Sequence, residues 1–182
     1  MVRRMADEGR RRGPHKATGD GLQRAALSYL RRTASSEDNL RGVLMRRVAR
    51  SALAHGTDPA QGAAMVAEIV RRLRRAGLLD DARYASARAE SLNRRGVSGR
   101  GIRARLAAKG VAPEVIDEAL AGLAADAELA AALRLARRRR LGPYRRPAER
   151  PGRRQRDLAA LSRAGFDDDT AGAAIDAEDT PS

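Results

Sequence analysis

Two neighbouring carboxylates, Asp80 and Asp81, are the first residues whose types could do chemistry. Paired acids act as general acid and base only when they converge on one reacting group. These two stand side by side where a helical pattern begins, so they do not face each other, and no partner base accompanies them. Both suit a plainer role, accepting hydrogen bonds from the free N–H groups of the next helix. The two histidines, His15 and His55, fall in separate non-periodic stretches and form no catalytic or metal pair. Cysteine is absent, which removes thiolate metal sites, disulfides and a cysteine nucleophile. The letters Gly99-Arg100-Gly101-Ile102-Arg103-Ala104 fit a relaxed dinucleotide fingerprint, but that motif must follow a strand and here it follows a helix. No Walker-type phosphate loop is present. The residues predict no catalytic, cofactor-binding or metal-binding site, and a protein that is not an enzyme.

Charge is more informative. The 182 residues include 37 Lys and Arg against 23 Asp and Glu, a net charge of +14, and Lys16 and Lys109 are the lysines. Such an excess favours a polyanionic partner: nucleic acid, an acidic protein face or an anionic surface. Arg100 and Arg103 stand off the apolar stripe of their helical segment, flanked by Arg94, Arg95 and Lys109, and Arg137, Arg138, Arg139 and Arg140 form a run further on. These nine are the candidate binding residues. Aromatics are only 2% of the chain, so stacking on single-stranded bases is poorly provided for. No Asn/Gln set for reading a major groove stands out either. No apolar run approaches a membrane span, and no apolar segment follows the basic N-terminus, so a cytoplasmic protein without a membrane partner is expected.

The elements that must carry these residues are helices. Ala, Leu and Arg, all strong helix formers, dominate, and no stretch alternates in the manner of a strand. Residues 1–21 lack periodicity and read as a disordered basic arm. A first repeat is expected over 22–77. Its helices carry Ala26, Leu27 and Leu30; then Leu40, Val43, Leu44 and Val48 after a Ser35 or Ser36 cap; then Ala63, Val66, Ile69, Val70 and Leu73 after Asp58-Pro59. A polar connection is expected between Val48 and Asp58. The second repeat, 78–123, opens after Gly77 and carries Tyr84, Arg88 and Leu92 with Ala85 and Ala89. After Gly96 come Ile102 and Leu106, and Pro113 opens its last helix. The third, 124–176, has Leu129, Ala132, Leu133 and Ala136, then a basic connection over 145–154, then Leu158 and Leu161, then a last helix capped by Asp167, Asp168 or Asp169. An acidic tail, 177–182, is expected to fray. Ile102, Leu106, Gly110, Val111 and Leu120 align with Asp157, Leu161, Gly165, Phe166 and Ile175 at one constant offset, with Asp157 as the mismatch. The expected fold is all-α: three tandem three-helix repeats stacked into an elongated, curved body.

The order Gly77, Leu78-Leu79, Asp80-Asp81, Tyr84-Ala85, Arg95-Gly96, Ile102-Arg103, Leu106, Lys109-Gly110-Val111 resembles the core of the RecX family, regulators of the RecA recombinase. The resemblance is sharpest from Gly77 to Gly110 and extends over about 22–175. It departs from the commoner family pattern at Asn39, Arg88 and Arg105 and in the length of the segment from Val48 to Asp58. It implies tandem helical modules in a monomer that docks on a RecA–DNA filament and inhibits or modulates RecA's ATPase, recombinase and co-protease activities. That would place it in homologous recombination, DNA repair and the SOS response, with single- or double-stranded DNA as a further contact. The competing reading of the same charge is a free-standing, helix-turn-helix-like DNA-binding protein.

Overall fold

The computed structural model describes residues 15–177. Residues 1–14 of the expected arm and 178–182 of the expected tail lie outside the described residues, whereas 19–21, expected in the disordered arm, already belong to the first helix, which Thr18 caps. Within them the secondary structure is helical, with nine α-helices and two short 3₁₀ turns. They cluster into two compact units. Among the described residues, one holds those up to Ala34 together with Leu40–Leu78; the other holds Ser35–Asn39 and those from Leu79 onward.

In the first unit, α1 (Gly19–Leu30) starts at Thr18, whose hydroxyl accepts the Gly21 N–H at 3.2 Å. α2 (Glu37–His55) continues about two turns past Val48, where a polar connection was expected. Residues 49–54 are Arg, Ala, Ser and Leu with no Gly or Pro, so nothing stops the helix before Gly56 takes a φ of 61°. α3 (Pro59–Arg75) starts as its sequence predicts, with Asp58 accepting the Ala60 N–H at 2.8 Å and Pro59 in the first turn. The buried faces are Leu22 and Ala26 on α1; Leu40, Leu44 and Val48 on α2; and Val66, Ile69, Val70 and Leu73 on α3. Leu27, expected inside, is 37% exposed. Gly62 of α3 lies so close to Val48 that a methyl group there would overlap the valine side chain. The buried Ser51 hydroxyl accepts the Ala17 N–H at 2.8 Å and meets the Thr57 hydroxyl at 2.9 Å, tying the approach to α1 to the α2–α3 turn.

The second unit contains two helical triplets. α4 (Asp81–Asn93), α5 (Gly99–Ala107) and α6 (Pro113–Ala121) close on Ala85, Ala89, Leu92, Ile102, Leu106, Val111, Ile116 and Ala119. Tyr84, expected in this core, is only half-buried and packs at its edge. The inner stripe of α4 is Ala85–Ala89–Leu92, one position round from the predicted Tyr84–Arg88–Leu92, and Arg88 is exposed. Alanine there brings the helices close. α7 (Ala127–Arg139), α8 (Arg154–Arg163) and α9 (Asp168–Ile175) close on a second cluster that includes Ala132, Leu135, Leu161, Phe166 and Ala174.

Helices α4, α5, α7 and α8 end alike. A left-handed residue follows the last turn, and the next N–H reaches back to a carbonyl five residues earlier: Val97 to Leu92, Val111 to Leu106, Leu141 to Ala136 and Phe166 to Leu161. This closure suits glycine, which supplies it as Gly96, Gly110 and Gly165. At α7 the residue is Arg140, with φ 55°. An L-residue in that region costs roughly 1–2 kcal/mol, part of which glycine would give back as chain entropy. Arg140→Gly is therefore expected to stabilise the protein by about 1 kcal/mol, raising Tm by about 2–4 °C in a thermal melt.

Past α7, the chain makes 3₁₀ turns at Gly142–Tyr144 and Pro147–Glu149, pinned by one buried carboxylate. Asp157 occupies the register of the apolar Ile102 in the preceding triplet and is 1% exposed. Its oxygens accept from Arg145 Nε at 2.7 Å, Arg145 Nη2 at 2.8 Å and the Gly142 N–H at 2.9 Å. The guanidinium of Arg150 crosses the same loop to the carbonyls of Pro143 and Arg145. Arg145 and Arg150 thus belong to the interior of this loop.

Candidate functional site

The signature residues around Asp80 build a socket for one end of α2. Asp80 caps α4, accepting the Arg83 N–H at 2.9 Å. Asp81 does not cap its own helix; its Oδ1 accepts the Glu37 N–H at 2.8 Å, so it caps the first turn of α2. Ser36 accepts the Asn39 N–H at 3.3 Å and donates its own proton to the Lys109 carbonyl. Asn39 Nδ2 donates to Ser35 Oγ at 2.8 Å, and Lys109 Nζ donates to Asn39 Oδ1 at 3.2 Å. Gly110 is bare because Asp38 lies where its Cβ would be. Leu79, Ala85 and Leu106 are buried, and Gly77 ends α3 at the surface with φ 68°. These residues position helices and the α2 turn. Among the described residues no cluster of His, Cys, Asp and Glu could hold a metal, and no helix is long and apolar enough to cross a membrane.

A second set of bonds joins the two triplets of this unit. Ser98, the α5 cap, accepts the Gly101 N–H at 3.2 Å and donates to the Ala164 carbonyl at 2.8 Å. Glu128 of α7 accepts the Gly99 N–H with both oxygens, at 3.1 and 2.9 Å. Partial burial pushes the Glu128 carboxyl up; the Gly99 bond opposes this and the Asp167 charge adds to it. Asn93 Nδ2 donates to the Ala127 carbonyl at 2.9 Å, and a Cβ on Gly96 would sit 3.0 Å from both Ala131 O and Leu135 N. Sequence reasoning missed these ties because each joins residues far apart in the chain.

The nine candidate cations are all exposed, yet they do not form one free patch. Arg100 Nη2 donates to the Ser162 carbonyl at 3.1 Å, adding a stitch to the triplet junction. Arg103 pairs with Asp117 at 2.5 Å, and Arg94 meets Glu90 at 3.4 Å. Lys109 is held by Asn39, and Arg137 also has a partner within the fold. Arg138 Nη1 donates to the Arg95 carbonyl at 2.5 Å, which brings the end of α4 against the end of α7. Arg95, and Arg139 and Arg140 next to Arg138 in the chain, are exposed and without an ion pair to any described residue. Elsewhere on the predicted basic edge, Arg154 pairs bidentately with Asp176 at 2.8 and 2.5 Å.

Comparison with known proteins agrees with this geometry. The family model described as "RecX, second three-helix domain" matches residues 80–120, the span of α4–α6. A curated protein named "Regulatory protein RecX" from Myxococcus xanthus is 42% identical over 165 residues, covering 88% of each chain. Another of the same name, from Agrobacterium fabrum, is 35% identical over 142 residues, 78% of this chain and 74% of the relative. A solved structure described as "Crystal structure of regulatory protein RecX" superposes with a TM-score of 0.65 over 87% of this chain and 71% of its own, at 22% identity, and so shares the fold.

Proposed function

This chain belongs to the RecX family of regulatory proteins, and from that premise we propose that it docks on the RecA–DNA filament and restrains RecA's ATP hydrolysis, strand exchange and co-protease activity. The observation carrying the reading is the Arg138–Arg95 bond, which gathers Arg95, Arg139 and Arg140 at the joined ends of α4 and α7. A filament presents phosphates and acidic side chains, and unpaired guanidinium groups reach both as strong, charge-assisted donors. Like charges so close repel one another, so removing them does not threaten the fold. Arg100, Arg103 and Lys109, exposed although each has a partner within the fold, extend this proposed contact.

The test is Arg95→Glu combined with Arg139→Glu. The helix signal is expected to stay unchanged, the inhibition of RecA's ATPase to weaken, and the log–log salt slope of filament binding to flatten by about 2, roughly 0.9 for each phosphate no longer neutralised. Inhibition and slope equal to those of the unmodified protein would overturn the patch. The regulatory reading itself requires that the unmodified protein slow RecA at amounts well below one per RecA subunit.

A further inference from the structure

Helix α2 carries a cationic face that neither the fold nor the filament reading uses. From Leu40 to Thr57 the chain has four arginines, Arg41, Arg46, Arg47 and Arg50, and no acidic residue. Arg46 and Arg50 stand one turn apart, about 6 Å along the axis, with Arg47 beside them. All three are exposed, and no described residue pairs with them. The arginines of α3 differ: Arg71 and Arg75 pair with Glu68, and Arg72 donates to Gln23. Across the described residues of this unit twelve lysines and arginines meet only Asp20, Asp58 and Glu68. The nearest of these in sequence, Asp58, is occupied as the α3 cap.

We propose that the outer face of α2 is a sequence-independent binding site for the phosphate backbone of duplex DNA. Guanidinium groups at one-turn spacing on a rigid helix suit a regular array of phosphates. The face lacks what other ligands need. No Phe, Tyr or Trp lies on α2, so single-stranded bases have little to stack on there. The only amide side chain of α2, Asn39, is engaged at its first turn, so base edges have no reader there. Leu53 is 90% exposed at the end of the face, but the other leucines of α2, Leu40 and Leu44, are buried in protein, which leaves too little apolar surface for a lipid interface. An acidic protein face is the competing partner.

This inference does not rest on the filament reading, and its binding titrations omit RecA. The full chain is titrated with a mixed-sequence duplex of about 20 base pairs, and with a single strand of the same length, across a salt series. The unmodified protein is expected to favour the duplex. The variant Arg46→Gln/Arg47→Gln/Arg50→Gln, in which glutamine preserves helix propensity, is expected to keep its helix signal. Its duplex slope should flatten by about 2–3. The Arg95→Glu/Arg139→Glu variant should keep most of its duplex binding. An unchanged slope in the triple variant would overturn the proposal, as would single-strand binding as tight as duplex binding. Loss of RecA inhibition by the triple variant with intact duplex binding would also overturn it, assigning the face to an acidic protein surface instead.

Discussion

Asp157→Ala is expected to lower stability by roughly 3–5 kcal/mol, because it leaves a half-buried cation and a buried N–H without their acceptor. In the native fold Asp157 holds both Nε and Nη2 of Arg145 and the Gly142 N–H in a 1%-exposed position. The charge also survives burial. Desolvation pushes its carboxyl up, but the Arg145 hydrogen bonds, the Gly142 N–H and the charges of Arg145 and Arg153 outweigh it and hold the carboxyl below its ordinary value. A carboxylate depressed on folding supplies stability that is complete above its unfolded value, near pH 4, and lost as pH falls through the folded one. Asp167, bonded by the Thr170 N–H, and Asp176, bonded by Arg154, titrate with the same sign. Glu128, whose carboxyl is raised, has the opposite sign and regains stability as pH falls. Urea melts at neutral pH measure the loss. A pH series should show stability falling below about pH 4, and less steeply in Asp157→Asn. A neutral-pH loss below 1 kcal/mol for the alanine variant would show that the loop holds without its ion pair. The double change Asp157→Ile with Arg145→Leu is expected to restore much of the stability, since an apolar replacement of a buried pair is often close to neutral.

Leu106→Ala is expected to cost about 2–5 kcal/mol. Leu106 has no exposed surface and sits at the centre of a cluster built with Ala85, Ala89 and Ala119. Those alanines have no rotamers with which to fill a void, so the space left by an isobutyl group stays largely open and the cost falls in the upper part of the range. Its backbone matters separately, since the Leu106 carbonyl closes the end of α5 by accepting the Val111 and Lys109 N–H groups. Leu106→Met keeps the volume and should lose under 1.5 kcal/mol. Denaturant melts of the two variants give the comparison, and equal losses would move the core away from this position.

What the sequence made legible was local. Asp58-Pro59, Ser98, Pro113 and Asp167 each sit within three residues of the N–H groups they serve or the turn they begin, and each starts its helix where predicted. Gly96, Gly110 and Gly165 mark helix ends through their own backbone angles. What stayed hidden depends on partners distant in sequence. Nothing near Asp81 reveals that it caps Glu37, and nothing near Asp157 reveals Arg145 folding over it. The basic surface suffered most. An arginine off the apolar stripe is predictably exposed, but whether its head group meets water, Asp117 or the Ser162 carbonyl depends on neighbouring helices. Of the nine predicted cations, the structure therefore leaves Arg95, Arg139 and Arg140 as the core of the candidate patch.

The first turn of α2 carries a consequence for synthesis. Two of its ties lie far downstream: Asp81, which accepts the Glu37 N–H, is 44 residues past it, and the Lys109 carbonyl, which accepts the Ser36 hydroxyl, is 73 residues past Ser36. A helix end whose N–H groups lack acceptors is slow to settle, since the opening turn is the costly part of helix formation. At a translation rate of about 5–20 residues per second, the ribosome needs roughly 4–15 s to make those 73 residues. During that interval a nascent chain already holding all of α2 has only the local Ser36 hydroxyl, which accepts the Asn39 N–H, to begin that turn. The α2 start and the α5 end must therefore mature together, late, once Lys109 has left the exit tunnel.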